Sequence, residues 1–145
     1  MNSIRVKKIK ADAVLPTYGT SGAAGADLYA CLDKEVCIEP GRTVFVPTGL
    51  SMEIPQGYAG LIYARSGLAC KQDLAPANKV GVIDSDYRGE FIVALHNHGT
   101  SARTVAHGDR IAQLVITPVI TPVFEEVCCL SETQRNESGF GSTGK

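Results

Sequence analysis

Residues 39–65 read EPGRTVFVPTGLSMEIPQGYAGLIYAR, and this stretch decides the fold class. Three turn signals, Glu39-Pro40-Gly41, Pro47-Thr48-Gly49 and Pro55-Gln56-Gly57, cut it into short runs rich in Val, Ile, Tyr and Phe. Proline presets φ for a turn and glycine supplies angles that other residues avoid, so each signal punctuates the chain. Short runs broken about every eight to twelve residues are the rhythm of an all-β sandwich or barrel.

Outward from this stretch the rhythm continues as far as His107-Gly108-Asp109. It predicts strands near 3–9, 27–30, 35–38, 42–46, 50–54, 58–65, 90–97, 102–106, 110–117 and 122–128. Helical periodicity is almost absent. One short helix is expected where Ser66, an N-cap residue type, precedes helix-compatible residues. After Leu130 the composition turns to Ser, Glu, Thr, Gln, Asn and Gly, with Phe140 the only large apolar residue. That change predicts a β domain over 1–130 and a flexible tail over 131–145. No repeat and no linker interrupts the chain before the tail.

The length of 145 residues suits one domain with its own core. The net charge of -1 supplies no basic field for long nucleic acid. An anionic ligand must therefore be held by a few placed residues. Met1 to Lys10 lacks the apolar run of a signal peptide. The longest apolar region, Ile111 to Phe124, is interrupted by Gln113, Pro118 and Pro122 and falls short of the roughly 20 residues that span a bilayer. The expectation is a soluble cytoplasmic protein with no membrane partner. Five cysteines without a C-x-x-C pair fit reduced thiols. Cys31, Cys37 and Cys70 read as small core or strand residues, and Cys128 and Cys129 as opposite faces of a strand.

Four segments carry candidate chemistry. Gly81 to Glu90 gathers Asp84, Asp86, Tyr87 and Arg88 in a turn between apolar strands, which suits either a site or an ordinary hairpin tip. Arg65-Ser66-Gly67 puts a guanidinium, a hydroxyl and helix-start amides within one turn, which suits phosphate or a plain helix start. Gly139 to Lys145 satisfies the G-x-x-x-x-G-K part of a P-loop. It lacks the preceding strand, the following helix and the Ser or Thr after the lysine, so a true P-loop is rejected. His96 and His98, two apart on one strand, read as a polar face without a third metal ligand, and His107 as a turn residue.

Together with two more stretches these segments resemble the five ordered motifs of the trimeric dUTP pyrophosphatase (dUTPase) family. The motifs are Ala23-Ala24-Gly25-Ala26-Asp27-Leu28, Arg65 to Ala69, Gly81 to Gly89, Arg110-Ile111-Ala112-Gln113-Leu114-Val115, and Arg135 through Gly144. The resemblance implies a jelly-roll-like β-barrel and a homotrimer whose active sites are shared between subunits. It also implies hydrolysis of dUTP to dUMP and pyrophosphate with Mg2+, which lowers dUTP and supplies dUMP for thymidylate synthesis. Asp84 would be the general base for water attack on the α-phosphorus. The hairpin with Asn78, Gly81, Val82 and Ile83 would read uracil, and Tyr87 would lie beneath deoxyribose. Arg65, Ser66, Gly67 and Gln113 would hold phosphates, and Asp27 would touch metal-bound water or brace the site. Arg135, Phe140, Gly141, Ser142 and Thr143 would close over the substrate.

Ala64, Asn136 and Ser138 depart from the family pattern, which has proline at the first position and glycines at the other two. No reactive group is lost. A same-fold class that deaminates dCTP is the nearest enzymatic alternative, but it lacks the Asp84 and Tyr87 hairpin and the glycine-rich tail. A non-catalytic nucleotide sensor is the alternative from another class, and an intact Asp84 argues against it.

Overall fold

A computed structural model describes residues 3–134, 136 and 137. Twelve strands and one helix follow in chain order: β1 (Arg5–Lys8), β2 (Thr17–Tyr18), β3 (Ala26–Tyr29), β4 (Val36–Ile38), β5 (Thr43–Pro47), β6 (Leu50–Glu53), β7 (Tyr58–Tyr63), α1 (Ser66–Gln72), β8 (Leu74–Pro76), β9 (Gly81–Ile83), β10 (Ile92–Asn97), β11 (Arg103–Val105) and β12 (Arg110–Pro118). Four sheets have the orders β1-β6, β5-β10-β8, β11-β4 and β2-β3-β12-β7-β9. Every pairing is antiparallel.

The sheets face one core, to which Met52, Val93, Ile38 and Leu114 each bring a side chain from a different sheet. Phe91, Leu28, Leu50 and Leu95 are fully buried within it. Alternation drives this packing. Along β10, Val93, Leu95 and Asn97 point inward while Ala94 and His96 do not. Buried Asn97 is satisfied by donating to the carbonyls of Ile38 and Ser101 and accepting from Gly99 N–H.

The Pro47-Thr48-Gly49 turn is a corner between sheets, since β5 pairs with β10 while β6 pairs with β1. Thr48 is buried and pins the corner by donating its hydroxyl to the Phe91 carbonyl at 2.7 Å. Gly49 has φ +68, and a Cβ there would lie 2.8 Å from both Ala13 Cβ and Cys31 Sγ. Only glycine satisfies both the angle and the close approach.

One irregularity shapes the functional face. The register of β12 against β3 shifts between Arg110 and Ala112, so Ile111 and Ala112 are both buried in succession. A bulge inserts one residue and reverses the alternation beyond it. Arg110 and Gln113, which a regular strand would turn to opposite faces, therefore both stand outside the core beside Asp27.

Several expectations are corrected. β2, β8 and β9 were not expected, because each is only two or three residues long, and β8 and β9 also contain small or turn-prone residues. The strand expected at 122–128 does not form, and the strands end at Pro118. Among the residues that follow, Ile120, Val123, Phe124 and Leu130 are exposed, for an apolar run forms a strand only with an edge to pair with. The cap of α1 is Arg65, with extended φ and ψ and no side-chain cap bond, and Ser66 is the first helical residue. Cys31 is in the core and Cys37 is an exposed residue of β4, so both fit the core-or-strand expectation, whereas Cys70 is exposed on α1. Cys128 and Cys129 are exposed outside any strand, their sulfurs 3.8 Å apart. No helix among the described residues is long and apolar enough to cross a membrane.

Candidate active site

Arg65 leaves the end of β7 just before α1 and lies beside β3 and β12. Its Nε donates to Asp27 Oδ1 at 2.7 Å, and Arg110 Nη1 donates to Asp27 Oδ2 at 3.3 Å. The carboxylate side chain is 14% exposed and that of Arg65 24%, so this pairing is shielded well beyond a surface ion pair. Two cations around one anion leave the cluster with a net positive charge. The Arg65 side chain makes no other hydrogen bond among the described residues, which leaves its terminal nitrogens for an anion such as phosphate.

Gln113 braces the same corner. Its Nε2 donates to the Ala64 carbonyl at 2.8 Å, which uses one of two amide hydrogens. A Cβ on Gly25 would lie 2.5 Å from Gln113 Oε1, so Gly25 gives the amide its place. Ser66 and Gly67 begin α1 and are exposed, with open space around Gly67. A cavity of about 260 Å³ adjoins the cluster and is lined by Arg65, Gly67, Asp109 and Arg110 among others.

The second cluster lies past the other edge of β7, where β9 pairs with it. The chain from β8 turns through Asn78 and Lys79 into β9, with Lys79 at φ +63. Asn78 Nδ2 lies 3.3 Å from where a Cβ on Gly81 would stand, so Gly81 makes room for the amide. Asp84 follows β9 and is exposed, and its carbonyl accepts from Tyr87 N–H at 3.2 Å. Arg88 holds the turn by donating to the Ser85 and Tyr87 carbonyls. Tyr87 donates its hydroxyl to the Glu90 carbonyl at 3.0 Å, and its ring centroid is 6.2 Å from that of buried Phe91. A Cβ on Gly89 would collide with the Tyr87 ring and hydroxyl. Val82, Ile83, Asp84, Tyr87, Glu90 and Ile92 line a cavity of about 240 Å³.

Thus Asp27, Arg65, Ser66, Gly67 and Gln113 gather in one place, and Asn78, Gly81, Val82, Ile83, Asp84 and Tyr87 in another. Within a single chain the two cavities share no lining residue. Arg135, Phe140, Gly141, Ser142 and Thr143 lie outside the described residues. Arg110, Gly25 and Gly89 stood in the quoted motifs without a role. Arg110 could not be assigned because regular alternation puts it opposite Gln113, and only the bulge reunites them. His96 and His98 share a face as expected, ring centroids 4.4 Å apart. His96 Nδ1 is 2.8 Å from Thr43 Oγ1, and burial, then His96, holds the His98 pKa below its usual value.

The fold and these clusters define a mostly-β protein with an anion-ready guanidinium pair and a carboxylate-bearing hairpin. The chain belongs to the dUTPase family, whose model matches residues 11–144. Deoxyuridine 5'-triphosphate nucleotidohydrolase of Desulfitobacterium hafniense is 55% identical over 150 aligned positions, covering 99% of each chain. The enzyme of the same name from Syntrophotalea carbinolica is 51% identical over 98% of this chain and 97% of its own. Among solved structures, a variant of the Staphylococcus bacteriophage 80alpha dUTPase with dUpNHpp superposes with TM-score 0.92 at 28% identity over all of both chains.

Proposed function

We propose that this chain is a dUTP diphosphatase in which Asp84 activates the attacking water. The observation that carries the reading is an exposed carboxylate on the wall of the Val82, Ile83 and Tyr87 cavity, with no hydrogen bond or ion pair to its side chain among the described residues. Such a group is available to take a proton. Asp84 orients one water for in-line attack on the α-phosphorus and accepts its proton. The new oxygen–phosphorus bond forms as the bond to the bridging oxygen breaks, giving dUMP and pyrophosphate.

The remaining residues bind and align. Backbone groups from Gly81 to Ile83 and the amide of Asn78 read uracil, and the Tyr87 ring excludes a 2'-hydroxyl. Arg65, set by Asp27, binds phosphate together with Ser66, Gly67 and the second amide hydrogen of Gln113. Arg135 reaches the terminal phosphate, Phe140 stacks on the base, and Gly141, Ser142 and Thr143 complete the cover as residues 131–145 close over the β domain of 1–130.

The family is metal-dependent, and we assign Mg2+. Asp27, the carboxylate bonded within the phosphate-binding cluster, is already engaged by two guanidinium groups, and Asp109 on the adjoining cavity wall accepts from Ala106 N–H. That donor set suits an ion held by phosphate oxygens and water rather than by a protein cage, with Asp27 reaching it through water. When bound, magnesium neutralises charge on the departing pyrophosphate.

Separate cavities in one chain support a homotrimer in which the Arg65 cluster of one copy meets the Asp84 hairpin of another. Exposed Phe45, Val82, Ile92 and Phe124 supply apolar surface for such contacts. A cytoplasmic setting agrees with free cysteines and with the supply of dUMP for thymidylate synthesis. The test is release of pyrophosphate and ammonia from each common dNTP with Mg2+. Pyrophosphate from dUTP alone is expected, and ammonia from dCTP would replace this reading with deamination. A chain ending at residue 130 should trimerise yet turn over slowly, and full activity would remove the tail from the site.

A further inference from the structure

A third cluster of reactive side chains lies outside both halves of the active site. Cys31, just after β3, is 1% exposed, and its Sγ donates to Asp12 Oδ1 at 3.6 Å. His107, in the turn before β12, has Nδ1 3.8 Å from Asp12 Oδ2. One carboxylate oxygen, one sulfur and one imidazole nitrogen thus lie within 4.8 Å of one another. The backbone around them is fixed, for Cys31 N–H donates to the Pro47 carbonyl and Gly108 N–H to the Ala30 carbonyl, each at 2.8 Å. The side chain of Cys31 is wedged against the Gly49 corner, where even a methyl group would collide with its sulfur.

We propose that Asp12, Cys31 and His107 form a three-ligand site for a borderline-soft divalent cation of the zinc class, with water as the fourth ligand. Thiolate plus imidazole selects such ions, whereas magnesium prefers oxygen throughout. Zinc bonds of about 2.0–2.3 Å put neighbouring ligand atoms roughly 3.3–3.8 Å apart. The cluster reaches that spacing by small rotations of Asp12 and His107, both exposed, about a fixed Cys31. His107 Nδ1 accepts a long 3.3 Å bond from Leu32 N–H, so its lone pair is present and weakly held. The cation replaces that bond.

The charges nearby agree. Asp12 and Glu90 push the Cys31 thiol up and Lys10 pulls it down, with Lys10 itself paired to Asp33 at 2.8 Å. Burial and then Asp12 push the Cys31 thiol up, so without a cation it stays protonated. Binding breaks the S–H bond, forms the metal–sulfur bond and passes the proton to solvent. The bound ion would tie the N-terminal segment to the exit of β3 and the entry of β12, the strands that carry Asp27 and Gln113. Its role is to stabilise this junction, apart from the magnesium-supported reaction.

Cobalt(II) is the probe, titrated into the full chain with Cys128→Ser and Cys129→Ser removing the adjacent exposed thiols. The expected result is a near-ultraviolet sulfur-to-cobalt absorption that saturates at one ion per chain and disappears when zinc is added. Cys31→Ser should abolish it. His107→Ala, at an exposed turn and safe for folding, should weaken cobalt binding by at least about tenfold, since outer-shell changes alone cost that much. Zinc should raise the melting temperature of the parent chain and leave that of His107→Ala unmoved. Absence of the band, its persistence in Cys31→Ser, or unchanged affinity in His107→Ala would overturn the site.

Discussion

Arg65 and Asp84 are each a single charged residue just beyond a strand that pairs in the same sheet, yet their surroundings are opposite. Arg65 is half-buried and held by Asp27, which Arg110 holds in turn, while Gln113 pins the preceding carbonyl. Asp84 stands exposed in a turn whose other members, Tyr87 and Arg88, are bonded to backbone carbonyls. A cation that must meet phosphate in one orientation gains from being set before the ligand arrives, because ordering has already been done. A base that must meet water and take a proton has to stay accessible, and its enclosure can come from elsewhere.

The sharpest way to break this contrast is Asp84→Asn. Turnover should fall by about 10²- to 10⁴-fold while melting temperature and binding of a non-hydrolysable dUTP analogue hold, because the amide keeps shape but cannot take a proton. Near-normal turnover would remove Asp84 from the chemistry. On the other side, Asp27→Asn should lower kcat/KM by about 10- to 100-fold, the worth of a hydrogen bond between charged groups. Adding Arg110→Gln to it should cost little more, since Arg110 acts through Asp27. Additive losses would mean that Arg110 binds substrate by itself.

Two glycine changes probe the supports. Gly89→Ala should displace the Tyr87 ring and lower the dUTP-to-UTP preference in kcat/KM as far as Tyr87→Ala does. Tyr87→Phe should retain it, because the hydroxyl only reaches the Glu90 carbonyl. A Gly89→Ala enzyme with unchanged preference would place sugar selection elsewhere. The smallest effect is expected for Gly25→Ala, where overpacking against Gln113 costs about 1–3 kcal/mol of stability and a few-fold in kcat/KM. With Gln113→Ala already present, the alanine should add almost nothing. If it adds its full cost there, the crowding at Gly25 is not with Gln113.

Much of the candidate site was legible because its chemistry sits in short contiguous motifs. The Arg65 tripeptide and the Asp84 hairpin announce themselves by residue type, and the glycines beside them are local requirements. β10 was legible because its period-two burial is written in neighbouring residues, and β7 and β12, whose burial is less regular, because each is a run of apolar residues bounded by turn signals. The helix start was off by one. Ser66 is a residue type that caps, but the extended backbone of Arg65 takes that place, pulled by its bond to Asp27.

By itself, then, the sequence determined most of the β rhythm and the ordered motifs that mark the family. Tertiary structure alone decided which of them meet. Residues 122–128 are as apolar as β12 in patches, yet they stay single because strand formation depends on a distant edge. Arg110 joins Gln113 through a bulge whose cause lies in the pairing with β3. Asp12, Cys31 and His107 share no motif, and the Gly49 corner and the turn into β12 bring them together. Local patterns encode which faces a residue can take, whereas contacts between separated strands depend on the packing of the whole core.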